Sequence, residues 1–251
     1  MQNRSGRFHL FTHWDVGVFL HWTTAFMITM LSLLSLAADG WQESLGIVLF
    51  FCVIYGSVVA HEFGHVRAAQ SYGISVRDIV IYPIGGVATL NSRPETAMSS
   101  LHVSLAGPLV SILLALLTPL IYAAVGTLSP ETLPWFEQAW IGSETVLGWM
   151  VMITHFNLIM AAFNLLPVYP LDGGQALHAV VWQIVNRRTA YQLAHRGATI
   201  GGMIIGAVAI YQMQPLMFVT GGFITIFGTR HARACLEHDA QAQARNAEPA
   251  N

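Results

Sequence analysis

An apolar run from Leu45 to Ala60 passes without a break into His61-Glu62-Phe63-Gly64-His65. The pentamer reads H-E-x-x-H. On a helix it sets two histidines about 40° apart around the axis, so both imidazoles face one way. That spacing lets one helix supply two nitrogen ligands to a single Zn²⁺. The glutamate between them stands beside the metal site, where it can take a proton from an activated water. The run ahead of the pentamer has the composition of a membrane span. A fold for this chain must therefore place a metal site on a helix whose solvent is lipid.

Composition points the same way. The chain is 54% hydrophobic and 10% charged, where a soluble domain carries about 25% charged residues. Several apolar runs reach the roughly 20 residues that span a bilayer as a helix. A net charge of −2 and the lack of a basic cluster exclude nucleic acid as a partner. Cys52 and Cys235 fall in an apolar helix and a polar tail, so they are not expected to pair. The segment from Met1 to Val16 is polar and aromatic, and the long apolar run after it reads as a first span rather than a cleaved signal peptide.

The expected fold is an all-α polytopic membrane protein of about six transmembrane helices, with a small membrane-associated β-hairpin or sheet after the metal-binding helix. Residues 1–15 form an N-terminal segment, 16–228 the membrane-embedded domain and 229–251 a polar tail. The spans are expected at Val16 to Ala38, Leu45 to about Gln70, Ala97 to Val125 and Thr145 to Leu166, with two more in the block Ala198 to Phe227. Gly107-Pro108 is expected to kink the third or to start its straight part late. Between Ile74 and Leu90, Ile74, Val76, Ile79, Val80 and Ile81 are β-formers, and Pro83, Gly85 and Gly86 punctuate the segment, the pattern of a short hairpin or small sheet. All eleven basic residues are arginine. They cluster before span one, between spans two and three, after span four and after the last span. The loops Asp39 to Ser44 and Gly126 to Glu144 have none. The positive-inside rule then puts both termini in the cytoplasm and requires a turn at Gln212 to Pro215. His61 lies 16 residues into span two, roughly 24 Å at 1.5 Å per residue, in the cytoplasmic third of a hydrocarbon core about 30 Å thick.

A carboxylate inside a membrane costs about 2.5–3.5 kcal/mol on insertion scales, so Glu62 demands a reason to be there. The small neighbours Gly56 and Gly64 suit close approach of another helix. Asp172 is the candidate third ligand. It follows Pro167-Val168-Tyr169-Pro170-Leu171 and precedes Gly173-Gly174. Irregular backbone at membrane depth is tolerated only where it lines a protein cavity or water path. Two histidines and one carboxylate leave the fourth zinc position for water. The plainer reading of Asp172 is a loop acid that caps the helix expected from Gln175 to Val185.

These pieces together resemble the site-2 protease family of intramembrane zinc metalloproteases. The resemblance rests on His61-Glu62-Phe63-Gly64-His65, Asn164-Leu165-Leu166-Pro167 and Leu171-Asp172-Gly173-Gly174. In colinear order it extends to His21-Trp22-Thr23, to Tyr82-Pro83-Ile84-Gly85-Gly86-Val87-Ala88 and to Ala106-Gly107-Pro108. It implies one Zn²⁺ per chain on His61, His65 and Asp172, with Glu62 as general base. It also implies Asn164 near the metal, orienting substrate or stabilising the oxyanion. The implied substrate is a membrane-anchored protein or peptide cut in or near its transmembrane segment. The implied location is a prokaryotic inner or plasma membrane, with the active site toward the cytoplasm. No PDZ or CBS domain is expected, so regulation is absent or falls to a separate membrane protein.

A helical substrate hides its carbonyls in its own hydrogen bonds, and a strand edge within Ile74 to Leu90 can hold it extended. Gly85 and Gly86 would permit close backbone approach there. Asn157, seven residues before Asn164, either lines the substrate cavity or bonds helix to helix. His21, His155, His102 and His178 read as structural or interfacial. Three other classes compete: a metal-ion transporter using the same ligands in transit, a di-iron hydroxylase or desaturase, and an inactive binding homologue. The transporter has no need of Glu62 as a base. The di-iron enzyme needs about eight clustered histidines. An inactive homologue would not be expected to keep His61, Glu62, His65 and Asp172 together.

Overall fold

The computed structural model describes residues 6–126 and 146–211, and in the C-terminal stretch 222, 224–230, 233 and 237. The chain is mostly helical with one small sheet, and it divides into two compact units. One comprises Met1–Arg93 and Ala106–Ala161, the other Pro94–Leu105 and Ala162–Asn251.

The first unit is built on a four-stranded sheet in the order β1 (Arg7–His13), β2 (Val16–His21), β3 (Val76–Tyr82), β4 (Gly85–Leu90). β1 and β2 are antiparallel, β2 and β3 parallel, β3 and β4 antiparallel. The parallel step needs a long crossover. The helices α1 (Trp22–Ala38) and α2 (Trp41–Ser71) supply it. Val16, Val18, Ile79, Val80 and Ile81 are buried and form the apolar heart of the sheet.

The β3–β4 hairpin lies where the sequence pattern expected it. The N-terminal half of the sheet corrects that reading. Val16–His21 is not the start of the first span but strand β2, and Arg7–His13, expected as a polar leader, is strand β1. Val16 and Val18 are buried at period two, and Val18 is paired on both sides, to Phe11 and to Ile79, which a helix would not do. The turn between these strands uses Trp14 (φ 50°) and Asp15 (φ 60°), a two-residue geometry that usually selects Asn-Gly. Tertiary contacts to α2 offset the strain. The Trp14 carbonyl accepts from Gln70 Nε2 at 2.9 Å. Arg67 lies over the indole at 5.5 Å, and Phe63 meets it edge-on at 5.6 Å.

His21, extended at φ −73°, caps α1 by accepting from the Thr23 N–H through Nδ1. The buried Thr24 hydroxyl donates to the Ile81 carbonyl at 3.0 Å and ties α1 to β3. α2 ends in a Schellman motif. Gly73, at φ 73°, donates to Gln70 O and Ile74 donates to Ala69 O. α3 (Ala97–Gly126) carries Pro108 and Pro119 inside one continuous helix, and the division between units falls within it, before Ala106. α4 spans Val146–Asn164.

The second unit holds α5 (Asp172–Ile184), α6 (Arg187–Tyr211) and a five-residue π-helical turn, Ile224–Gly228. Two helices are long and apolar enough to cross a membrane among the described residues, Trp41–Ser71 and Ala97–Ile121; Trp22–Ala38 is a shorter apolar helix. All but Gly126 of the loop expected from Gly126 to Glu144, the turn expected at Gln212 to Pro215 and most of the expected tail lie outside the described residues.

Candidate active site

The H-E-x-x-H pentamer sits in the last third of α2, on continuous helix. His61 is buried, and its Nε2 lies 3.2 Å from Nε2 of His65. Two nitrogens each about 2.0–2.1 Å from one tetrahedral ion stand about 3.3–3.4 Å apart, so the pair fits a zinc ion. α3 forms the wall behind it. A Cβ on Gly107 would collide with His65 Nε2 and stand 2.7 Å from His61 Nε2. Only glycine leaves that space to a ligand of both nitrogens. One turn on, Ser111 Oγ lies 2.8 Å from His61 Nδ1.

The close approach of α3 depends on Gly64, as expected: a Cβ there would come within 2.6 Å of the Ala106 carbonyl oxygen. Gly56 has open space around it, so the expectation that it too admits a helix does not hold.

Glu62 is half-buried and turned toward the sheet, and its Oε2 accepts the Ala88 backbone N–H at 3.1 Å. β4 is an edge strand, so this bond comes from the side of β4 that does not face β3. A strand turns the polar groups of alternate residues to the same side; Gly86 therefore presents its backbone to the edge along which Glu62 lies. Gly86 has a second task. A Cβ there would stand 2.9 Å from both Glu62 Cγ and Val58 Cγ1, so the glycine lets β4 settle on α2 beside Glu62. Gly85 takes φ 145° at the hairpin turn.

Asn157 is fully buried. Its Nδ2 donates to Ser57 Oγ at 3.0 Å and to Ile153 O at 2.9 Å, a helix-to-helix bond to α2 one turn ahead of His61. His155 Nδ1 pairs with the Val151 carbonyl of its own helix at 2.8 Å.

In the second unit, Asn164 closes α4 and the irregular segment 165–171 leads to Asp172, the first residue of α5. Asp172 is buried, in a helix first turn that favours a negative charge. The helix begins three residues earlier than the sequence suggested. The glycines after it allow a tight fold-back, since a Cβ on Gly173 would strike the Leu165 carbonyl and one on Gly174 the Val168–Tyr169 peptide. His178 is buried and stacks on Tyr191 with ring centroids 4.1 Å apart.

Sequence reasoning missed the contacts of Ser111 and Gly107 with the histidines and that of Ala88 with Glu62. A serine one helical turn beyond Gly107, immediately ahead of the apolar run Ile112 to Leu117, was the available signal for Ser111.

Residues 49–209 match the model of peptidase family M50. A Synechocystis sp. protein, named as a candidate zinc metalloprotease, is 36% identical over 178 residues, which cover 69% of this chain and 42% of the relative. A zinc metalloprotease of Methanocaldococcus jannaschii is 28% identical over 172 residues, 68% of this chain and 44% of the relative. The chain thus spans less than half the length of these two curated relatives. A solved structure, the site-2 protease from Methanocaldococcus jannaschii, superposes with a TM-score of 0.61 at 23% identity, covering 90% of this chain and 95% of that one; it shares the fold. The family model takes in the pentamer, the hairpin, the glycine of α3 and the Asp172 segment alike, and the chain belongs to peptidase family M50.

Proposed function

We propose that the chain is an intramembrane zinc metalloprotease that hydrolyses a peptide bond in or near the transmembrane segment of a membrane-anchored substrate. One Zn²⁺ per chain is held by His61, His65 and Asp172, and Glu62 is the general base. The observation that carries the reading is the histidine pair: Nε2 of His61 and Nε2 of His65 lie 3.2 Å apart on one helix, the spacing of two nitrogens on one ion, with Glu62 next to the first of them in sequence. When bound, zinc supplies a Lewis acid and a water of lowered pKa. Glu62 would accept a proton from the attacking water as the water oxygen bonds to the scissile carbonyl carbon, and would deliver it to the amine that leaves as the C–N bond breaks, so the carboxylate ends as it began. Ala88 N–H keeps the carboxylate aimed while this happens.

The substrate, unwound, adds to the edge of β4 through the backbone of Gly86, with Gly85 shaping the turn beside it. Such a strand would run past Glu62. Asn164 orients the substrate or holds the oxyanion. The membrane domain is 16–228 with six spans, both termini are cytoplasmic and the site lies toward the cytoplasmic side of a prokaryotic inner or plasma membrane. A separate membrane protein supplies any regulation. The transporter alternative finds no support in a peptidase family match, and it leaves the tethered Glu62 without a purpose.

The test is purified protein with a membrane-spanning substrate. Glu62→Gln is expected to retain zinc and lose cleavage by about 10²–10⁴-fold. Cleavage at the parental rate would sink the assignment. Zinc uptake into sealed vesicles without proteolysis would favour the transporter.

A further inference from the structure

We infer that Ser111 is a positioning residue for the metal site: its hydroxyl decides which nitrogen of His61 carries the proton. The inference rests on the reading of His61 as a zinc ligand. A neutral imidazole has one N–H and one lone pair, and a metal takes the lone pair. The nitrogen of His61 that faces His65 is Nε2. The proton must then sit on Nδ1, and a buried N–H needs an acceptor.

Ser111 is the acceptor. It is fully buried, and its Oγ stands 2.8 Å from Nδ1. A hydroxyl has a single proton. Here it is directed along the helix to the Gly107 carbonyl, 3.4 Å away. The Oγ lone pair is left for Nδ1–H. The chain of donors runs from Nδ1–H to Ser111 and from Ser111 O–H to Gly107. The reverse arrangement would put a hydrogen on Nε2 and point it at His65. Gly107 thus acts at both ends of the histidine: its missing side chain leaves room at Nε2, and its carbonyl ends the chain that begins at Nδ1.

Partners of this kind orient a ligand and raise its basicity, and their loss costs about 10–100-fold in metal affinity. The experiment compares wild type, Ser111→Ala and Ser104→Ala in the full chain in detergent, titrating zinc against chelators of graded strength and recording thermal melting without metal. Ser104 is also buried on α3, with its hydroxyl on the Ser100 carbonyl. Ser111→Ala is expected to hold zinc about 10–100-fold more weakly, with the metal-free melt unchanged and the visible bands of the Co²⁺-loaded protein shifted. Ser104→Ala is expected to match wild type in all three. Zinc bound by Ser111→Ala as tightly as by wild type overturns the inference alone, as does an equal loss in Ser104→Ala. A wild-type chain that binds no zinc overturns the metal reading beneath it.

Discussion

A methyl group at Gly107 would enter the space next to Nε2 of both His61 and His65. Alanine is the better helix former by about 1 kcal/mol, so Gly107→Ala separates helix stability from site geometry. Overpacking of this sort costs about 1–3 kcal/mol. If the strain falls on the metal-loaded state, zinc affinity drops about 5- to 150-fold. Chelator competition measures the drop, and an unchanged affinity would show that the two imidazoles do not meet at a metal on that side. The histidines and Glu62 were legible because four-residue spacing on a helix is a purely local pattern. Gly107 and Ser111 matter only through a neighbour more than forty residues away along the chain. Local periodicity holds no trace of that pairing, so Gly107-Pro108 read as a kink and as part of the family resemblance, with no partner on α2.

At the level of elements, the contact between β4 and α2 links the sheet to Glu62. Ala88→Pro removes the N–H that Glu62 accepts, at a position where an edge strand tolerates proline because the lost donor faces away from the neighbouring strand. A hydrogen bond to a charged group is worth about 1.5–3 kcal/mol. Cleavage of a membrane-spanning substrate is expected to fall about 10- to 150-fold while zinc content stays at one per chain. A variant that cleaves normally would show that β4 does not aim the carboxylate. The helices α2, α3 and α4 were legible from apolar length, and the β3–β4 hairpin from β-branched residues punctuated by Pro83 and Gly85. Strands β1 and β2 were not. Val16 to Leu20 is apolar and abuts the apolar helix at Trp22, so composition merges the two. The Trp14-Asp15 turn lacks the glycine or asparagine that announces a hairpin, because contacts with Phe63, Arg67 and Gln70 hold it instead. The partner of β2 is β3, about sixty residues on, and parallel pairing over that distance leaves no local signature.

For the whole molecule, the question is how this chain lies in a bilayer. α2 has 31 residues, a rise of about 46 Å, and exceeds a core of about 30 Å. One end must therefore emerge, and the charged residues say which. Trp41 to Val66 carries Glu43 and Glu62 as its only ionisable carboxylates and no arginine, whereas Arg67, Arg77 and Arg93 follow before α3. The positive-inside rule predicts that this second end faces the cytoplasm. Single cysteines in a background lacking Cys52 and Cys235 test the arrangement in sealed inverted and right-side-out vesicles with an impermeant thiol reagent. Ser92→Cys and Asn186→Cys are expected to react from the cytoplasmic side, and Gln42→Cys from the opposite side. Ser92 and Asn186 on opposite sides would break the count of spans between them. Gln42 and Ser92 on the same side would mean that α2 does not cross at all, and the depth assigned to His61 would fall with it.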